Sequence, residues 1–369
     1  MKVPILDRSG AAFLVGLTMI AKLLTPEPRM LAFKVGNAAW LVTFLSGLIA
    51  LGGYWCLLTL LRRFPGKSLA IISQRALGRV AGAAATMAYI CYFVYLGGIA
   101  LGEFVTSFRL AIMPRTPGSA LMLVYIAIVL FVAVKGVETL ARMAAYLTPI
   151  MLLLFAVTLF GPLRVMDYRG LFPILGLNAP ETLLLLFPET SLYSEVLLLG
   201  VLAGMLRPSD LAWVGHRTML IGIVGQTAGW IAIVTVFPYP MSARLSFPML
   251  EVVRMIAIGE VLQRLEALFV LLWFFVAAFK LVLLVCSATH LFAETYGLPD
   301  YRLVVPAVAL IMYTIAWMPA DEVSLSWLDS STLRVWSWPV SFGLPVLTLL
   351  VAALRGKRGA SPGQALGQA

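Results

Sequence analysis

Residues 19–30 read MIAKLLTPEPRM, and residues 185–199 read LLFPETSLYSEVLLL. Each stretch lies inside a long apolar run, and each is broken near its middle by proline and polar residues. The first break holds Lys22, Thr25, Pro26, Glu27 and Pro28; the second holds Pro188, Glu189, Thr190, Ser191, Ser194 and Glu195. A lone proline in a membrane helix is commonly just a kink. An ionisable group in a span is costly and marks a functional candidate. Two interruptions at corresponding positions in the two halves of one chain, both beside charges, point to the discontinuous helices of an inverted-repeat transporter. Such breaks set half-helix ends at the midplane. Free N–H dipoles there receive a carboxylate, and freed carbonyls receive an ammonium or a cation, a geometry that suits a zwitterion.

The rest of the chain supports a membrane setting. Of its 369 residues, 61% are hydrophobic and 12% are charged, whereas a soluble domain is about half apolar and about a quarter charged. This composition excludes a water-facing globule, a disordered chain and a DNA-binding domain, and it leaves little room for a catalytic head. A span takes about 20 residues. The apolar runs give span 1 at Gly10–Val35, span 2 at Ala38–Leu61, span 3 at Val80–Phe108, span 4 at Gly118–Val134 and span 5 at Ala144–Leu163. They continue with span 6 at Pro180–Leu206, span 7 at Arg217–Phe237, span 8 at Val261–Phe292, span 9 at Leu303–Trp317 and span 10 at Val335–Leu354. Lys2 and Arg8 before span 1 imitate a signal peptide, but no small-residue cleavage pattern follows.

Two amphipathic stretches sit outside these runs. Phe64-Pro65-Gly66-Lys67-Ser68 leads into LAIISQRALG after span 2, and Ser246-Phe247-Pro248-Met249-Leu250 leads into EVVRMIAIG after span 7. Both begin with Phe-Pro, and both precede a long apolar helix. Spans 1–5 and 6–10 thus repeat, and an odd number of spans per repeat forces opposite orientations. The expected fold is an all-α integral membrane protein of ten transmembrane helices in a 5+5 inverted repeat, with helices 1 and 6 broken. A single transmembrane domain covers residues 1–354, with repeat 1 at about 10–163 and repeat 2 at about 180–354. A basic, polar tail follows at 355–369. With the N-terminus inside, more than half of the 27 Lys and Arg residues fall on the inner side, the densest cluster being Arg62–Arg79. Arg334 counts to the outer side in this tally. Both termini are therefore expected in the cytoplasm.

Of the ionisable residues inside spans, five matter here: Lys22, Glu27, Glu189, Glu195 and Lys280. Lys22 is near mid-depth, about 15 Å from either surface, too far for its stem to snorkel. It needs a partner, and Glu195 or Glu189 on span 6 is the obvious one. A structural ion pair and a direct part in ligand or ion coupling both remain open for Lys22 and Lys280. A fixed ammonium there would stand in for a sodium ion. Tyr89, Tyr92 and Tyr95 either line a polar cavity or pack. The candidate ligand-binding residues are Lys22, Thr25, Thr190, Ser191, Tyr193, Glu195, Lys280 and Tyr92. Gly66-Lys67-Ser68 lacks the upstream glycine of a phosphate loop. His216 and His290 have no cysteine, histidine or carboxylate cluster around them, and no nucleophile–base set is present. Cys56, Cys91 and Cys286 fall in apolar runs and form no disulfide framework. No enzyme activity, cofactor, metal or nucleic acid partner is expected.

VGNAAWL (35–41), RRFPGKSL (62–69), EFVTSF (103–108), KGVETLARMA (135–144), LSFPMLEVVRMI (245–256) and RLEALFVLLWFFVAAFKLVLL (264–284) together resemble the spore germination permeases, the B subunits of endospore germinant receptors. That family is similar to the amino acid/polyamine/organocation transporters, which implies the LeuT-like 5+5 fold. Tyr193-Ser194-Glu195 resembles its Phe-Gly-Glu in span 6, Lys280 its span 8 lysine, and Pro28 the proline that closes its span 1. The chain departs from it at Lys22, where the family is usually glycine-rich and uncharged, and at Leu192, where it has proline. The resemblance implies a membrane subunit in the spore inner membrane that holds a small germinant, often an amino acid, beside A-type and C-type receptor subunits and membrane lipid. The alternative is a stand-alone secondary transporter moving an amino acid or amine with protons. A purely structural anchor is disfavoured by the buried charges.

Overall fold

In a bilayer a lipid-exposed backbone must satisfy its own hydrogen bonds, so apolar runs of this length become helices. The computed structural model describes residues 6–256, 265–319 and 321–359, and among them every regular element is helical. Asp7 caps α1 (Arg8–Ile20), its carboxylate accepting from Gly10 N at 2.9 Å. The chain then tightens into a 3-10 turn at Ala21–Leu24, and Thr25 is extended. Pro26 and Pro28 open α2 (Glu27–Val35). Proline has no N–H to continue a helix but fits a first turn, so the break between α1 and α2 is written into the sequence.

Span 2 is α3 (Ala39–Arg63), followed by the surface helix α4 (Leu69–Leu77). Gly78, at φ +99°, closes α4 and starts α5 (Arg79–Ala111); Gly136, at φ +97°, does the same between α6 (Gly118–Lys135) and α7 (Val137–Phe160). A side chain at either position would strain the junction. Span 6 consists of α8 (Ala179–Leu185), a 3-10 helix at Pro188–Leu197 and α9 (Leu198–Leu202). Next come α10 (Leu211–Val236), the surface helix α11 (Pro248–Arg254), α12 (Leu265–Tyr296) and α13 (Val305–Trp317). Span 10 runs through α14 (Glu322–Trp327), a π-type turn at Leu328–Leu333, α15 (Arg334–Trp338), a second π-type turn at Pro339–Gly343 and α16 (Leu344–Leu354).

Among the described residues, eight segments are long and apolar enough to cross a membrane. The broken start of span 1 and the shorter Tyr301–Trp317 segment bring the number of spans to ten. Several boundaries differ from those read in the sequence. α7 begins at Val137 rather than Ala144, because a polar but helical turn, with Glu138 and Arg142 paired one turn apart, precedes the apolar run. α10 begins at Leu211 rather than Arg217. Span 10 begins at Glu322 rather than Val335, which moves Arg334 from an outer helix end to the interior, 4% exposed. The expected start of span 8 (261–264), the end of the second amphipathic stretch (257–259) and the tail at 360–369 lie outside the described residues.

The two long helices α5 and α12 pack along each other, and α1 packs along α10; these are the most extensive pairings. In the apolar stretch of span 3, 72% of the residues are buried within the protein, against 28% in that of span 4, so α5 belongs to the centre and α6 to the lipid-facing ring. The two surface helices lie at opposite ends of α12. Ser68, at the start of α4, donates to Glu294 near the C-terminal end of α12, and Gln74 donates to Thr295 O at 3.5 Å. Arg254, at the end of α11, pairs with Glu266 at the N-terminal end at 3.1 Å. Along α12, Glu266 and Glu294 are about 42 Å apart. That is the placement an inverted repeat demands. The α4 face also gathers cations: Arg63 donates to Lys357 O at 2.7 Å and Lys357 to Arg75 O at 2.8 Å.

Candidate functional site

The breaks in spans 1 and 6 face each other at the centre of the bundle. Lys22, in the 3-10 turn after α1, donates to Ser191 O at 2.7 Å and to Glu195 Oε2 at 2.9 Å. Lys280, from the middle of α12, reaches Glu195 Oε1 at 3.0 Å, an ion pair that is not aligned as a hydrogen bond. One fully buried carboxylate is thus held between two lysines. Ser194 Oγ, 3.4 Å from Oε2, completes the shell. Burying such charges is tolerable only when each is paired, and deleting one partner of a buried pair costs about 3–5 kcal/mol.

A second ion group lies beside the first. Arg334, at the start of α15, donates to Glu27 Oε1 at 2.6 Å and to Glu189, and its Nε is 3.7 Å from Asp329. Glu27 opens α2 and Glu189 opens the 3-10 helix of span 6, so one guanidinium ties both breaks to span 10. Its fork of five donors suits several carboxylates at once. A cavity of about 10 Å³ touches Lys22 and Ser191 on one side and Glu27, Asp329 and Arg334 on the other, and so joins the two groups.

The remaining sequence candidates divide. Thr25 Oγ1 donates to Lys22 O at 2.9 Å and accepts from Glu27 N at 3.4 Å, which ties the two sides of the span 1 break. Tyr92 OH lies 3.1 Å from Ser337 Oγ on α15, whose side chain also borders the 10 Å³ cavity. Ser191 contributes its carbonyl. The other two hydroxyls are committed elsewhere: Thr190 Oγ1 donates to Phe187 O at 2.7 Å and Tyr193 OH to Thr43 O on α3 at 2.8 Å. Lys22, Ser191, Glu195 and Lys280 therefore form the cluster, with Thr25 and Tyr92 at its margin. Arg334, Asp329 and Glu103 were not among the sequence candidates. A polar stripe at helical spacing, Ser326, Ser330, Arg334, Ser337 and Ser341, signals that span 10 begins early.

The centre is tightly closed. A cavity of about 20 Å³ lies between Thr25, Glu103 and Lys280; this and the 10 Å³ one are each of water size. Larger clefts open on both faces. On the α4 face, about 560 Å³ is lined by Lys135, Glu138, Val201, His290, Glu294 and Arg302, among others. On the α11 face, about 620 Å³ is lined by Arg29, Phe33, Tyr239, Arg244 and Trp327, among others. Arg29 is two residues from Glu27 and Trp327 two from Asp329, so the Arg334 group lies between this second cleft and the lysine–glutamate cluster. Two clefts thus open on opposite faces of a closed, charged centre.

Comparisons with known proteins agree with this geometry. The chain superposes on the crystal structure of MhsT in complex with L-phenylalanine, a LeuT-fold transporter, with a TM-score of 0.62 over 96% of this chain and 90% of that one. Sequence identity in that match is 12%, so the likeness is one of fold. The spore germination protein GerQB of Bacillus cereus is 21% identical over 326 residues, covering 88% of this chain and 89% of its own. The spore germination protein KB of Bacillus subtilis (strain 168) is 27% identical over 273 residues, covering 71% and 70%. A model of the family described as spore germination protein, Spore_permease, matches residues 6–323. With nearly the whole length matched and the LeuT-like helices in place, the chain belongs to the spore germination permease family.

Proposed function

We propose that this chain is the transporter-fold membrane subunit of a spore germinant receptor and that it binds a small, amino acid-like germinant at the midplane. The observation that carries this reading is Glu195 held between Lys22 and Lys280 at the paired breaks. A zwitterion offers the two groups this cluster already pairs. Its carboxylate is matched to a lysine and its ammonium to Glu195 and Ser191 O. Binding therefore means exchange: the ligand replaces one lysine–glutamate contact with its own. Lys22, Thr25, Ser191, Glu195 and Lys280 contact the ligand in this reading, while Tyr92, Thr190 and Tyr193 shape the pocket walls. The exchange loosens the span 1 break at Thr25–Pro26, and that motion is the signal passed to A-type and C-type receptor subunits. The working location is the spore inner membrane, with the α4 face and both termini cytoplasmic. Cysteine labelling of Lys67→Cys from the cytoplasmic side and Ser246→Cys from the other would bear out this orientation; labelling of both from one side would contradict it.

A stand-alone, proton-coupled amino acid or amine transporter is the second reading, favoured by the clefts on both faces. One experiment addresses both. The purified full-length chain is screened by thermal shift against the twenty amino acids and common nucleosides, and any compound that stabilises it is tested for uptake into liposomes. Stabilisation without accumulation supports the receptor subunit; accumulation against a gradient supports the transporter. If nothing in the panel shifts the melting temperature, the proposed site is wrong.

A further inference from the structure

Glu103 stands apart from both ion groups. It lies on α5, 7% exposed, three helical turns after Tyr92 and so on the same face. Its carboxyl makes no hydrogen bond or ion pair with any described residue. It borders the 20 Å³ cavity together with Thr25, from the span 1 break, and Lys280. Lys280 thus has Glu195 on one side and this second carboxyl on the other. The buried charged residues, among those described, are three cations, Lys22, Lys280 and Arg334, and five acids, Glu27, Glu103, Glu189, Glu195 and Asp329. An interior with more acidic groups than basic ones favours the arrival of positive charge, and Glu103 is the acid without a partner.

We propose that Glu103 contacts the ligand and that the central site selects for its amino group. This deepens the reading of a midplane small-molecule site and rests on it. When the ligand displaces Lys280 from Glu195, the ligand's ammonium, held by Glu195, also meets Glu103 across the present cavity, and the Thr25 hydroxyl is the neighbouring acceptor. The required feature is then a free, cationic amine. The carboxylate adds affinity through a lysine, but it is the lesser determinant, because the interior already has more carboxylates than cations.

The test uses the purified full-length chain in nanodiscs. Its probes are the twenty amino acids, their methyl esters, their N-acetyl derivatives and common nucleosides. For an amino acid that binds wild type, N-acetylation should weaken binding more than esterification does. Glu103→Gln should weaken binding of the free amino acid about 10–100-fold, as expected for losing a hydrogen bond to a charged group, and Glu103→Asp should restore part of it. The melting temperature of each variant without ligand reports whether it folds, and the derivative series on wild type stands even if a variant does not. Equal binding of N-acetyl and free amino acids, or unchanged affinity in Glu103→Gln, overturns the role of Glu103 and leaves the midplane site intact. Binding of nucleosides alone does the same. Binding of no probe by wild type overturns both.

Discussion

The two buried ion groups are built in opposite senses. Around Glu195, one carboxylate serves two lysines, and around Arg334, one guanidinium serves three carboxylates. The first joins the breaks of spans 1 and 6 to α12, and the second joins the same breaks to span 10. Each group carries an imbalance that the other offsets. The pairing therefore fixes which residue is expendable: in each group the shared ion holds the rest, and loss of one lysine from the Glu195 group leaves a balanced pair, whereas loss of one carboxylate from the Arg334 group still leaves two against one guanidinium.

The largest effect should follow loss of Arg334. Arg334→Met leaves Glu27, Glu189 and Asp329 buried together, and the chain should lose about 3–5 kcal/mol. Membrane abundance and melting temperature read this directly, and a variant as stable as wild type would remove the Arg334 group from the account. Glu195→Gln should come next, near the low end of that range at about 3 kcal/mol, because two lysines lose their counter-charge while the amide still accepts from Lys22. Lys22→Met should cost only about 1 kcal/mol, since Glu195 and Lys280 remain as a balanced pair. Were Lys22→Met more damaging than Glu195→Gln, the shared-ion reading of this group would be reversed. Smallest is Tyr92→Phe, which gives up one hydroxyl contact with Ser337 and should cost about 0.5 kcal/mol.

Much of this architecture is legible in the residues, and the reason is local. Pro26, Pro28 and Pro188 cannot continue a helix, so the breaks announce themselves. Lys22 at mid-depth requires a partner on another span, and span 6 offers Glu195. What stays hidden depends on distance along the chain. Arg334 finds Glu27 and Glu189 some 307 and 145 residues away, and no spacing rule links them. Its own neighbourhood, SLSWLDSSTLRVWSWP, is too polar for an apolar-run reading, so Arg334 resembles an outer flank until two π-type turns carry its polar stripe inward. Glu103 is masked differently. It lies near the expected end of span 3, where charge is ordinary, and only the tight packing of α5 along α12 puts it beside Lys280. The clefts on the two faces are a property of packing alone and leave no mark in the sequence.

We propose that Glu195, held between two lysines, is where a small ligand enters an exchange of ion pairs. The most direct measurement is ligand affinity in Glu195→Gln against wild type, by thermal shift or calorimetry on the folded, full-length chain. An amino acid that binds wild type should bind the variant at least about tenfold more weakly, as removal of a charge-assisted contact implies, while the variant keeps a cooperative melting transition. Equal affinity in a folded Glu195→Gln would contradict it.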